Sequence, residues 1–392
     1  MHMVLPDRLK RGRLIADIEV LRAIAVLVTV LIHQSLLTLH RIPGIDLYFD
    51  FTFGVDIFFA ISGFVIVRSL LPTLPTSKAP AIFWRSIVAF WIRRVWRIWP
   101  TAWLWVGVAL LASIFGRSDV WGKPLDVLQD AAAIILQVQN LHRVDVSAVQ
   151  GPLLLSPYWS LSLEEQFYFL LPFLLFFVPR QKLMPVLAAL VLVQFFLNRY
   201  VFGAMPSAFL WAIRCDGLLL GVMIALSLDV QWFRELLEPV FLGTSRLWRS
   251  ACVLLALFLM AALAGTHIVW FGTGLIAILS AGLVWIASYD KNYIMADGLF
   301  KRLLVWIGLR SYAIYIIHIP AFYFTQSLWA HLSPPNTDLG DGHHLWQLLL
   351  TGLAMIAILS DLNYRFIEVP LRNKGAAIAR RLREQPAREL VS

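Results

Sequence analysis

Charge is scarce in this chain: Lys, Arg, Asp and Glu make up 15% of its 392 residues, against about 25% in an ordinary soluble domain. That shortage, beside 59% hydrophobic residues, excludes a soluble globular protein. Cysteine is nearly absent. The two present, Cys215 and Cys252, stand in apolar sequence and offer neither a disulfide framework nor metal-ligand spacing. Internal repeats, low-complexity tracts and long polar linkers are also lacking, which points to one domain. The division predicted is a single transmembrane domain over 1–372 and a basic cytoplasmic tail over 373–392, the latter a short amphipathic or frayed helix.

What the sequence has in quantity is apolar length. Several runs reach the roughly 20 residues that a bilayer core of about 30 Å demands of a helix, and a backbone in lipid must satisfy its own polar groups. The fold class predicted is therefore all-α, a polytopic integral membrane protein. Sixteen Trp and 26 Phe fit aromatic belts at both interfaces. Candidate spans are 18–39, 49–71, 100–116, 157–178 and 182–200 in the first half. They continue with 207–228, 250–265, 267–288, 303–328 and 346–367, about ten transmembrane helices in all. A further apolar segment, 127–141, carries Gln129, Asp130, Gln137, Gln139 and Asn140. Counting it as a span would turn every later basic loop outward, against the positive-inside rule, so it is predicted to be a partly buried or interfacial segment on the outer side. Both termini are then cytoplasmic, with Arg8, Lys10, Arg11 and Arg13 ahead of an uncleaved signal anchor. The net charge of +9 clusters near helix ends, from Arg85 to Arg97 and from Arg372 to Arg388. It reads as an orientation signal beside membrane lipids rather than as a nucleic-acid surface.

Ionisable side chains inside spans cost at least about 2.5 kcal/mol each on insertion scales and so stand out as functional candidates. Arg22 and His33 lie on one face of the first span, about 16 Å apart along its axis, although Arg22 also suits a snorkelling anchor and His33 a satisfied interior residue. Asp56, among phenylalanines in FGVDIFFAISGFVI, needs a partner, and His33 or Arg22 on the preceding helix is the nearest in sequence. Gly54 and Gly63 in the same stretch suggest close helix contact. In FWRSIVAFWIRRVWRIWP, arginines alternate with tryptophans just ahead of a proline-started helix. They serve either as anchors or as an anion site in which Arg94 and Arg97, one turn apart, grip phosphates. SPYWSLSLEEQFYFLLP sets Glu164 beside Glu165 near the outer end of a span, and only one of the two can face the bundle. Later spans add Arg214, Asp216, Tyr312, His318, Tyr364, Arg365 and Glu368, several of which ion-pair glue between helices explains.

Taken in order, IEVLRAIAVLVTVLIH, FGVDIFFAISGFVI, RRVWRIWP, YWSLSLEEQFYFLLP, GLRSYAIYIIHIP and YRFIEVPLR resemble acyltransferase family 3, the polytopic bacterial enzymes that O-acylate surface polysaccharides and related acceptors. Arg22 and His33 match that family's R-X10-H signature, and Arg94 with Arg97 its R-X-X-R pair. Glu19 and Val20 stand where the family commonly has Asp and Gly. The chain is similar to the members without an added hydrolase-like domain.

The resemblance implies acyl-CoA, most simply acetyl-CoA, as donor with no metal. It further implies a glycan or lipid-linked saccharide as acceptor and the bacterial inner membrane as location. It assigns His33 as the base, with Arg22 in support. Asp56 and Glu164 complete the expected catalytic set, as candidates to orient the imidazole. Arg93, Arg94, Arg97, Tyr312 and His318 form the expected donor-binding set. In the topology above the arginine pair is cytoplasmic, whereas His33, Asp56 and Glu164 lie toward the outer half. Direct attack by an acceptor hydroxyl or a covalent acyl-His33 or acyl-Ser62 intermediate are both open. The rival reading is a transporter or channel using the same charges as a pathway; no inverted repeat or paired broken helices support it.

Overall fold

The computed structural model describes residues 14–38, 50–75, 79–116, 118–142, 144, 153–197, 199, 205–266, 269–334, 337–339 and 342–384. The arginines and lysine expected before the signal anchor lie outside them. Among the described residues there are helices and no strands. The principal helices are α1 (Ala16–Ile32), α2 (Gly54–Leu70), α3 (Pro80–Phe115), α4 (Pro124–Ile135), α5 (Tyr158–Phe177), α6 (Arg180–Phe195) and α7 (Asp216–Leu228). They continue with α8 (Arg246–Thr266), α9 (Gly272–Ala287), α10 (Leu299–Leu309), α11 (Ser311–Leu332), α12 (Leu345–Asn363) and α13 (Val369–Glu384).

By length and composition the described residues hold seven stretches able to cross a bilayer, or eight if α10 and α11 form one bent span, where about ten were expected. The expected spans 182–200 and 267–288 correspond to α6 and α9, each of 16 residues, short of the roughly 20 needed for a perpendicular crossing. The expected span 303–328 is broken: α10 and α11 meet at Arg310 with a bend of 73°. The third span begins not at Pro100 but at Pro80, and α3 runs 36 residues straight through the arginine-tryptophan stretch. Proline mimics a helix start because it lacks an N–H, yet inside a membrane bundle neighbouring groups can satisfy the freed carbonyl. The 127–141 segment divides into α4 and a short turn, Gln139–His142, with Asp130, Gln139 and Asn140 all buried. Beyond α12 a π turn at Tyr364–Glu368 leads into α13. There Gly375 lies against the Trp96 side chain, which sets α13 along α3.

Lipid is as apolar as leucine, so helices in a bilayer associate through close van der Waals packing and polar contacts rather than the hydrophobic effect. The α2–α7 contact shows the first of these. A Cβ on Gly63 would stand 2.0 Å from the Leu218 carbonyl oxygen, and one on Gly221 would stand 2.2 Å from that of Ala60. The two backbones touch through reciprocal glycines. Gly63→Ala is expected to cost about 1–3 kcal/mol through forced separation of the helices. An unchanged melting temperature in detergent would contradict this contact.

Candidate active site

Five helices converge on a pocket of about 90 Å³. From α2 come Val55, Phe58, Ser62 and Val65, spaced three and four residues apart so that they share one face. From α3 come Arg94 and Arg97, from α5 Ser160 and Glu164, and from α11 Tyr312 and Tyr315, with Arg22 reaching in from α1. Glu164 lines the pocket and Glu165 does not, but Glu165 does not face water as expected of the second glutamate: its Oε1 is buried as well.

The polar groups are held by one another. Ser62 Oγ donates to Glu164 Oε1 at 3.1 Å, and the Tyr168 hydroxyl donates to Glu164 Oε2 at 2.7 Å, so both carboxylate oxygens accept. Arg94 donates from Nη2 to Ser69 Oγ at 3.0 Å, with its guanidinium over the Phe90 and Tyr168 rings. Arg22 donates from Nη1 to Glu19 Oε1 at 2.8 Å, which gives Glu19 a task that its mere departure from the family's usual Asp did not reveal. Arg22 and Glu368 both act electrostatically on Arg97. Three cationic side chains facing one small space form a site for an anion. Tyr312 donates its hydroxyl to the Ile98 carbonyl at 2.6 Å, tying α11 to α3 at the pocket wall. Arg93 lies on α3 outside the lining.

His33 sits at the C-terminal end of α1, half-buried, against His318, which is fully buried on α11. The rings are 5.1 Å apart between centroids, and His318 Nε2 lies 3.2 Å from His33 Nδ1. Their proton positions follow from partners that can only accept. His318 Nδ1 is 2.8 Å from the Tyr315 carbonyl, so it carries the hydrogen and its Nε2 is an acceptor. His33 Nδ1 faces that acceptor and the Thr29 carbonyl at 2.9 Å, so it too carries the hydrogen. Nε2 of neutral His33 is left as the basic nitrogen. Tyr315 joins the two regions: its side chain lines the pocket and bonds Ser160 Oγ at 2.7 Å, while its carbonyl fixes His318.

Two expected neighbours of His33 are elsewhere, which corrects the predicted orientation of the imidazole. Asp56 accepts from Arg214, Nε at 3.3 Å and Nη2 at 3.2 Å, with both side chains buried and the guanidinium packed over Phe59, Trp159 and Trp211. A buried carboxylate pairs with the nearest buried cation wherever the chain brings it, and here that cation is 158 residues away. Glu164 shares the arginine pocket rather than an outer half with His33, because its helix face is set by Ser62 and Tyr168. The residue beside His33 is instead His318, which had been assigned to the donor. Its signal was present in GLRSYAIYIIHIP, but neither spacing nor hydropathy says which helix an intramembrane histidine will meet. Tyr315 and Tyr168 were missed for the same reason. Asp216 is held by Arg199 at 2.7 Å, the ion-pair glue foreseen for that stretch. Among the described residues no three His, Cys, Asp or Glu side chains converge as metal ligands.

Comparison with known proteins puts this geometry in context. A family model described as an acyltransferase domain matches residues 15–361. Peptidoglycan O-acetyltransferase OatA of Listeria monocytogenes is 29% identical over 342 residues, 82% of this chain and 51% of the relative. O-acetyltransferase OatA of Staphylococcus aureus is 26% identical over 359 residues, 82% of this chain and 53% of the relative. The chain thus spans about half the length of the curated relatives it matches. No solved structure matches.

Proposed function

The chain belongs to acyltransferase family 3, and from that membership we propose that it is a membrane-bound O-acyltransferase moving an acetyl group from acetyl-CoA to a glycan hydroxyl. The acceptor class proposed is a surface glycan or lipid-linked saccharide, peptidoglycan included, since that is what the Listeria relative's name specifies. The setting proposed is the bacterial cytoplasmic membrane, with α10 and α11 counted as one span to give an even eight among the described residues and both termini inside by the positive-inside rule. The observation that supports this reading is an arginine-lined pocket whose wall residue Tyr315 also fixes, through its carbonyl, the His318 ring beside His33, although neither histidine lines the pocket itself.

Arg94 and Arg97 hold the donor's phosphates by charge-assisted bonds, and the narrow pocket admits its thioester arm. His33 Nε2 takes the proton of the acceptor hydroxyl as that oxygen attacks the thioester carbonyl. The carbon–sulfur bond then breaks, and the CoA sulfur leaves with the pair of electrons and collects the proton. His318 keeps the imidazole in its working tautomer, and Arg22, steadied by Glu19, offsets charge that develops on the carbonyl oxygen.

The Ser62–Glu164 hydrogen bond favours one variation, in which Ser62 is acylated first and Glu164 accepts its proton. Intact-mass measurement after mixing with acetyl-CoA distinguishes the two routes, because only the second adds an acetyl group to the protein.

Arg94→Ala and Arg97→Ala are each expected to weaken binding of a non-hydrolysable acyl-CoA analogue about tenfold or more, at 1.5–3 kcal/mol for a charged hydrogen bond. Calorimetry checks this. Unchanged affinity in both variants would place the donor elsewhere.

A further inference from the structure

A second cavity, larger than the one above, is formed among the described residues. On the opposite side of the last turns of α2 lies a space of about 200 Å³, walled also by the ends of α7 and α9 and by the start of α1. Its polar lining includes Arg68, Arg234, Asp229 and Asp290. The two acids are engaged. Asp229 accepts from Arg180 at 2.5 Å, and Asp290 accepts the Ala16 backbone N–H at 2.9 Å. The two arginines are not. Both are half-buried, Arg68 lies over the Phe64 ring, and among the described residues neither guanidinium donates a hydrogen bond or forms an ion pair. They repel one another, while Asp290 attracts Arg68 and Glu238 attracts Arg234.

Two guanidiniums in one cavity repel each other, and an anion bound between them offsets that repulsion more directly than carboxylates already bonded elsewhere. The frame around them is firm: the Tyr289 hydroxyl donates to the Arg234 carbonyl at 3.0 Å, holding the short helix Gln231–Leu236 against the end of α9. That helix and the turn after it expose Trp232, Leu236 and Phe241, the residues of a segment lying in the membrane interface. Planar guanidiniums with an aromatic partner at that level match a phosphate ester.

We propose that the cavity between the ends of α2, α7 and α9 binds a phosphate ester through Arg68 and Arg234. Two sources share that chemistry, the headgroup of an anionic phospholipid and a phosphate of coenzyme A. The second rests on the donor reading above; the first does not. The site is distinct from the Arg94 pocket, although Ser69, which Arg94 bonds, follows Arg68 directly on α2.

The test uses the full-length protein. Native mass spectrometry reads retention of phosphatidylglycerol, and calorimetry reads CoA binding, for wild type, Arg68→Gln/Arg234→Gln and Arg94→Gln. The double variant is expected to lose about tenfold or more in one arm. Loss in the lipid arm assigns the headgroup; loss in the CoA arm assigns the donor. Asp290→Asn keeps its acceptor for Ala16 and removes the carboxylate facing Arg68, so it should tighten the same ligand several-fold and guards against a misfolded double variant. Unchanged binding in both arms, or no tightening in Asp290→Asn, overturns the proposal. Arg94→Gln losing CoA while the double variant keeps both CoA and phosphatidylglycerol would leave the donor reading standing and remove this one.

Discussion

His33→Ala is expected to lower kcat by about 10²–10⁴-fold, the usual contribution of a positioned general base, with little change in donor affinity or in melting temperature. The reason lies in how few contacts hold this ring. Its bonds run to the Thr29 carbonyl and to His318, and α1 ends there in any case, so deletion removes a proton acceptor and leaves the bundle's packing alone. The donor's proposed anchors are on α3 and are untouched. Full turnover by the variant, measured as acceptor-dependent release of CoA, would refute the role of this imidazole. A collapse in melting temperature would make it structural instead.

The second large effect concerns stability. Arg214→Met leaves Asp56 as an uncompensated charge, with a cost of roughly 3–5 kcal/mol for breaking a buried pair. Asp56→Leu/Arg214→Met, which removes both charges and keeps much of their volume, is expected to recover most of that loss, because desolvating the pair offsets its attraction. Thermal unfolding in detergent, arranged as a double-mutant cycle, gives the coupling directly. Since Asp56 pairs with Arg214 and not with His33, the double variant should also retain acyl transfer. Equal melting temperatures for the single variant and wild type would sink the structural role, and loss of transfer in a stable double variant would return Asp56 to the chemistry.

What could be read from residues alone follows from which physical rules are local. Hydropathy marked the helices because lipid forces each one to satisfy its own backbone, and the order of six motifs marked the family. Inward-facing Glu164, the close α2 contact at Gly63 and the buried polar face of 127–141 were legible too, each from one helix's own pattern. Three things were not. The bend at Arg310 falls at the Gly-Leu-Arg-Ser stretch of an otherwise apolar run, and its main polar partner lies far along the chain. Arg310 donates to Asp361 at 2.7 Å and stacks on Trp306 and Tyr364. Pro100 reads as a boundary because local rules say so, and only packing lets α3 pass through it. The pairing of buried charges, Asp56 with Arg214 and Asp17 with Lys301 at 2.7 Å, depends on which helices touch. That is settled by glycine approaches such as Gly308 on Glu19 rather than by spacing. The same gap explains why His318 was set with the donor and not beside His33.

The central claim is that a thioester held by the Arg94–Arg97 pocket reacts with a hydroxyl deprotonated at His33. Purified protein in nanodiscs, given acetyl-CoA labelled in the acetyl group and a soluble glycan fragment, tests it most directly. The expected result is label on a glycan oxygen with one free CoA released per transfer, abolished by His33→Ala and impaired by Arg97→Ala. Label that accumulates across the membrane as intact acetyl-CoA, with no CoA set free, would contradict it.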